Sequence, residues 1–321
     1  MLVSCLGRSI EPLKSFLIHC QNESERGMKF TNIYVAEPGA HITADYYSHI
    51  QKPSRALHTV DLPRKDFDDI LSDAEDYFDP ETKSYYRENG RPHRRGYLFY
   101  GPPGTGKTSL SVALASHFDL PLYVLNLNEQ GLDDNGLLTR FGHLPERCVV
   151  LLEDIDSAGI SRTSMKDEDE VTLSGLLNAI DGPAAPEGRL LIMTTNAPKS
   201  LDEALYRDGR VDKVVYLGYC TKETAAITFR RIFWTDPRAK GRFTQAEITT
   251  MAKDFGRQMP KDTFTPAQIQ NFCMDRRGKP HRAISEFEAY KLGRLTGANQ
   301  FKYDLAEKLD NGEEATKLED V

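Results

Sequence analysis

One segment constrains this chain more than any other. Gly101, Pro102, Pro103, Gly104, Thr105, Gly106, Lys107 and Thr108 fill every fixed position of a GxxxxGK[ST] loop. The glycines let backbone amides turn inward around a phosphate, and a following helix adds the positive end of its dipole. The apolar run 96–100 predicts a strand before the loop, and 109–118 predicts a helix after it. In this pattern Lys107 reaches the outer phosphates as a point charge. Thr108 offers a hydroxyl to Mg²⁺, and Ser109 closes the binding segment.

The flanking pattern sets the fold class. Short apolar runs at 97–100, 122–127, 148–152, 190–194 and 214–217 alternate with helical stretches. Such alternation implies α/β architecture, a parallel sheet covered by helices on both faces. From about 221 the pattern is helical. Thr265, Pro266 and Gln268 form a capping box with proline at the first helical position. Upstream, residues 12–21 and 64–78 read as helices, and 31–36 and 57–62 as strands. The segment before 60 has no obvious core of its own. Residues 161–170 read as a solvated acidic loop and 302–321 as a frayed tail.

Three further segments carry chemistry. Four aliphatics at 149–152 end in Glu153, Asp154 and Asp156, so a central strand delivers carboxylates to the sheet edge where ligands sit. One acid can orient a Mg²⁺ shell and its neighbour can polarise water; the plain alternative is a strand followed by an acidic turn. The run 189–195 ends in Asn196, which either touches a γ-phosphate or starts the turn before Pro198. Arg207 and Arg210 lie three apart near a predicted helix end. They are either ordinary surface arginines or guanidiniums offered to a neighbour's γ-phosphate.

Composition closes other classes. Hydrophobic residues are 39% and charged residues 28%, which suits a packed soluble chain and not a disordered one. The net charge of −7 gives no support to nucleic-acid binding. The five cysteines and eight histidines show no zinc spacing and no HExxH, which disfavours a metalloprotease. No run approaches the ~20 apolar residues of a membrane span, and no signal-peptide pattern opens the chain. Taken literally, this reads as a soluble intracellular protein.

The loop, the acid-tipped strand, Asn196 and the arginine pair, in this order, resemble the AAA ATPases over about 95–295. The resemblance implies ATP and Mg²⁺ as ligands, and a Rossmann-like large subdomain followed by a helical lid. It also implies a homo-oligomeric ring with nucleotide between subunits. Arg207 and Arg210 match the family's two arginines, and Glu153, Asp154 and Asn196 its catalytic positions. A closer similarity, to the Bcs-one-type mitochondrial AAA proteins, rests on the segments 94–109, 151–156, 173–182, 215–220 and 265–270, with 5–9 and 31–34 resembling the end of the preceding domain.

That resemblance implies four segments: 1–62 as a partial N-terminal domain, 63–218 as the large subdomain, 219–298 as the lid, and 299–321 as an acidic tail. It also implies an ATPase that acts as a chaperone or translocase of folded cargo at the mitochondrial inner membrane. The family's best-known cargo is the Rieske iron–sulfur protein, delivered during assembly of the cytochrome bc complex. The alternative is a nucleotide-gated binding subunit without turnover. Three departures stand out. The acids read Glu153 then Asp154, the reverse of most AAA proteins. Residues 128–134 lack the aromatic–aliphatic–glycine pattern of threading loops. The family's membrane helix and the front of its N-terminal domain are not in the chain, which reads as an N-terminally truncated member or a degenerate paralogue.

Overall fold

The computed structural model describes residues 13–15, 29–36, 47–158, 170–183, 185–207 and 209–295. The chain divides into two compact units, Met1–Leu217 and Gly218–Val321.

The first unit is built on a seven-stranded sheet. Its strands are β1 (Phe30–Ala36), β2 (Tyr47–Pro53), β3 (Arg95–Tyr100), β4 (Leu122–Leu125), β5 (Val149–Leu152), β6 (Leu190–Thr195) and β7 (Lys213–Tyr216). The order across the sheet is β2-β1-β4-β5-β6-β3-β7. Every pairing is parallel except β1 with β2. Among the described residues after 60, the unit's α-helices are α1 (Arg64–Phe78), α2 (Thr82–Glu88), α3 (Lys107–His117), α4 (Asp134–His143) and α5 (Leu173–Asp181).

The strand period divides the core. Val150 and Leu152 of β5 pack with Leu191 and Met193 of β6 beneath α4 and α5. Their neighbours Val149, Leu151, Leu190 and Ile192 point the other way, into a second cluster with α1 and α3. Covering on both faces is why β5 and the first four residues of β6, 190–193, are apolar without interruption. Ile33 of β1 joins the second cluster, so this early strand is packed into the same sheet.

The sheet order creates the site. From β3 the chain crosses β6 and β5 to reach β4, while from β6 it crosses β3 to reach β7. Connections therefore leave adjacent strands in opposite directions, which opens a crevice at their C-terminal ends.

Two early expectations change. Residues 57–62 form no strand. Leu57–Thr59 is a single 3-10 turn, closed by Thr59 Oγ1 donating to Ala56 O at 2.7 Å. Val60 and Leu62 are buried all the same, as packing against the α3 side of the core and not as a sheet edge. The edge role falls to β2, whose sequence shows no apolar alternation. The phosphate-loop helix begins at Lys107, two residues earlier than its apolar pattern suggested. The 64–78 helix has the expected bounds. Of the 12–21 helix only 13–15 are described, and they are helical. The 302–321 tail, and the 161–170 loop except Glu170, lie outside the described residues.

The described residues of the second unit form four helices, α6 (Lys222–Thr235), α7 (Gln245–Arg257), α8 (Pro266–Met274) and α9 (Pro280–Leu295). Phe229, Phe255, Phe272 and Phe287 form its aromatic centre. The cap of α8 forms as its sequence requires: Thr265 Oγ1 accepts from Gln268 N, and Gln268 Oε1 accepts from Thr265 N. No helix among the described residues is long and apolar enough to cross a membrane.

Candidate nucleotide site

The 101–108 loop joins β3 to α3 at the crevice. Gly101 has φ +145°, and a Cβ there would lie 2.0 Å from Leu217 O. Gly106, with φ +100°, is the left-handed residue that turns the loop into α3. Both positions require glycine for backbone reasons. The first amides of α3 have no partners within the helix, as at any helix start. Thr105 Oγ1 donates to Pro102 O at 2.8 Å and braces the turn. Pro103, Gly104 and Thr108 are exposed, while Lys107 is buried.

Lys107 Nζ uses all three of its protons. It donates to Gly101 O at 2.8 Å, to Pro102 O at 3.1 Å and to Asn196 Oδ1 at 2.6 Å. Burial pushes the ammonium below the usual lysine value, and the Asp154 and Asp156 carboxylates pull it back.

The two adjacent acids diverge. Glu153 Oε1 accepts from Thr108 Oγ1 at 2.6 Å. Asp154 Oδ1 accepts from Asn196 Nδ2 at 3.1 Å. One acid therefore faces the hydroxyl at the helix start, and the other faces the residue at the end of β6. Asp154 has φ +44°, a left-handed conformation that costs roughly 1–3 kcal/mol in a non-glycine residue. Strain of that size persists only where neighbours hold it.

The oxygens of Thr108 and Glu153 suit a small hard cation. Among the described residues no group of three or more His, Cys, Asp or Glu side chains forms a metal cage. A hydroxyl and one carboxylate, completed by phosphate oxygens and water, is the sparse donor set that Mg²⁺ prefers.

The arginine pair sits apart from these residues, and its members differ. Arg210 Nε donates to Asp181 Oδ2 at 2.6 Å and Nη1 to Ala204 O at 2.5 Å. Arg207 is exposed, and its ion-pair partner is Glu203 at 3.9 Å. Two side chains without an assigned role in the sequence reading complete the arrangement. Thr194 Oγ1 accepts from Asp154 N, and Asp156 Oδ1 accepts from Asn196 N, each at 3.0 Å. Both lie inside recognisable motifs, but their contacts are about 40 residues apart in sequence.

A phosphate-binding loop at a switch point, with acids at the end of one strand and a polar residue at the end of the next, defines a P-loop ATPase of the AAA class. Residues 97–219 match the family model for the ATPase family associated with various cellular activities (AAA). Residues 222–289 match the mitochondrial chaperone BCS1-like ATPase lid domain. The chain belongs to the BCS1-like AAA ATPases.

Among curated relatives, mitochondrial chaperone BCS1 of Homo sapiens is 35% identical over 246 residues, covering 74% of this chain and 56% of the relative. A probable mitochondrial chaperone bcs1 of Schizosaccharomyces pombe is 43% identical over 189 residues, covering 58% and 42%. A probable mitochondrial chaperone BCS1-A of Dictyostelium discoideum is 34% identical over 248 residues, covering 75% and 55%. The chain spans about half the length of these relatives.

Proposed function

We propose that this chain is the ATP-hydrolysing portion of a mitochondrial chaperone that moves folded protein cargo, working as a homo-oligomeric ring. The observation that carries the hydrolytic part is the divergence of Glu153 toward Thr108 and of Asp154 toward Asn196. Lys107 and the amides of 101–109 hold the phosphates, and Thr108 with Glu153 holds Mg²⁺, which neutralises charge on the phosphate oxygens. Asp154 and Asn196 orient the water that attacks the γ-phosphorus in line, with ADP leaving. Arg207 and Arg210 are the family's arginines; the exposure of Arg207 suits presentation to a neighbouring subunit.

The folded-cargo reading rests on the loop after β4. It lacks the threading pattern, and it is pinned. Arg140 and Glu129 form a bidentate pair, 2% and 6% exposed, with Nη1 2.5 Å from Oε2. Asn128 Nδ2 donates to Ser157 Oγ at 2.5 Å. A pinned loop without an aromatic tip is poorly suited to gripping an extended chain. Family resemblance makes a Rieske-type iron–sulfur protein the first cargo to try.

Phosphate release and ATP affinity measured on Asp154→Asn and Glu153→Gln test the site. Asp154→Asn should hold ATP and turn over slowly, whereas Glu153→Gln should lose Mg²⁺-dependent affinity. If Glu153→Gln is the variant that traps ATP, the two roles are exchanged. If the unaltered chain releases no phosphate at any protein concentration, the chain is a nucleotide-gated subunit and not an enzyme.

A further inference from the structure

We infer that Thr194 and Asp156 are positioning residues for hydrolysis, forming a reciprocal clamp across the ends of β5 and β6. The inference rests on the roles proposed for Asp154 and Asn196.

The regular ladder between these strands ends at Leu152 opposite Met193. Beyond it the two chains exchange side chains for backbone. From the β6 side, the Thr194 hydroxyl accepts the Asp154 amide at 3.0 Å. From the β5 side, the Asp156 carboxylate accepts the Asn196 amide at 3.0 Å. Between these bonds, Ile155 N donates to Thr194 O at 3.0 Å, so pairing resumes after Glu153 and Asp154 have bulged out. Of these two bulged residues, Asp154 is the one with φ +44°.

The clamp explains how two exposed side chains keep a fixed relation. Asp154 and Asn196 are both exposed, and their direct bond is 3.1 Å. A solvent-facing pair joined by one bond would sample many rotamers. Here the backbone beneath each is tied to the other strand, and Thr194 is 1% exposed, so its hydroxyl is fixed by packing. Ser157 Oγ, donating to Asp154 O at 2.6 Å, closes the bulge from its other side. A misplacement of about 1 Å at a reacting group can cost roughly 10²-fold in rate, while binding elsewhere is untouched.

The test uses the full chain and compares removal with conservation. Thr194→Val and Asp156→Ala delete the acceptors, while Thr194→Ser and Asp156→Asn keep them. ATP affinity is measured with a fluorescent ATP analogue, and single-turnover phosphate release is counted per bound nucleotide, so only folded, binding-competent protein contributes. The removal variants should lose roughly 10- to 100-fold in rate, with the dissociation constant changed less than about threefold. The conservative variants should recover most of the rate. Asp154→Asn serves as the reference.

If Asp154→Asn is slow while both removal variants turn over like the unaltered chain, the clamp is overturned. It is also overturned if the conservative variants are as slow as the removal variants. If Asp154→Asn itself turns over normally, the site reading fails, and the clamp fails with it because it has nothing to position.

Discussion

Lys107 Nζ lies 2.6 Å from Asn196 Oδ1, so the cation of the phosphate loop donates to the polar residue at the end of β6. A bound γ-phosphate competes for the same protons. Lys107→Ala should therefore weaken ATP binding by roughly 10²-fold or more, because a charge-assisted contact is lost in a buried place. Calorimetric titration with Mg·ATP checks this, and affinity within a few-fold of the unaltered chain would refute it.

The two arginines should separate in experiment. Arg210 bonds Asp181 and Ala204 O, so Arg210→Ala should destabilise the first unit by roughly 1–3 kcal/mol. Among the described residues Arg207 has one ion-pair partner, the distant Glu203 at 3.9 Å. Arg207→Ala should leave the melting temperature in place, bind ATP nearly normally and hydrolyse it far more slowly, approaching the ~10³ loss seen when fingers are removed. Mixing it with Lys107→Ala subunits should restore part of the activity. Mixed assemblies without rescue would exclude an in-trans role.

His93 gives the fold a pH dependence near neutrality. Its Nε2 lies 3.3 Å from Tyr77 O, and its ring packs on Tyr77 at 4.6 Å. Burial pushes the imidazole below its ordinary 6.5, with the Tyr77 carbonyl and Glu187 opposing. The folded state then binds fewer protons than the unfolded state below that value. Stability is full above pH ~6.5 and falls as the pH drops through it. Melting curves between about pH 7.5 and 5.5 should show this slope, and His93→Gln should flatten it. An unchanged slope would assign the effect to other groups.

In the second unit, Asp236 is 1% exposed at its side chain. It accepts from Gly278 N at 2.5 Å, Arg238 N at 3.0 Å and Arg277 Nη2 at 3.3 Å. Burial raises its carboxyl, but the two amides and the guanidinium outweigh this and hold it below the usual aspartate value. Its contribution is present at neutral pH and is lost as the pH falls below the ordinary aspartate range. Asp236→Ala should cost roughly 2–4 kcal/mol. The specific sign is loss of hydrogen-exchange protection at the Gly278 amide. Retained protection there would show that the loop is held by something else.

Local sequence determined whatever a local rule governs. The glycines at 101 and 106, Lys107 and Thr108 mark the loop because their backbone and charge requirements lie within eight residues. The 64–78 helix and the Thr265 cap were legible for the same reason: their periodicity and bonds span three or four residues. The strands β5 and β6 were legible because burial on both faces leaves an unbroken apolar run. Tertiary structure decided the rest. β2 became an edge strand through pairing with β1, and 57–62 packed as a turn against the α3 side of the core. Arg210 was separated from Arg207 by Asp181, 29 residues away. Glu153 and Asp154 took different partners because Asp154 adopts a left-handed backbone beside Thr194, about 40 residues on. These outcomes depend on which strands become neighbours. A hydrogen bond between distant residues exists only after the sheet has chosen its order, and no local pattern encodes that choice.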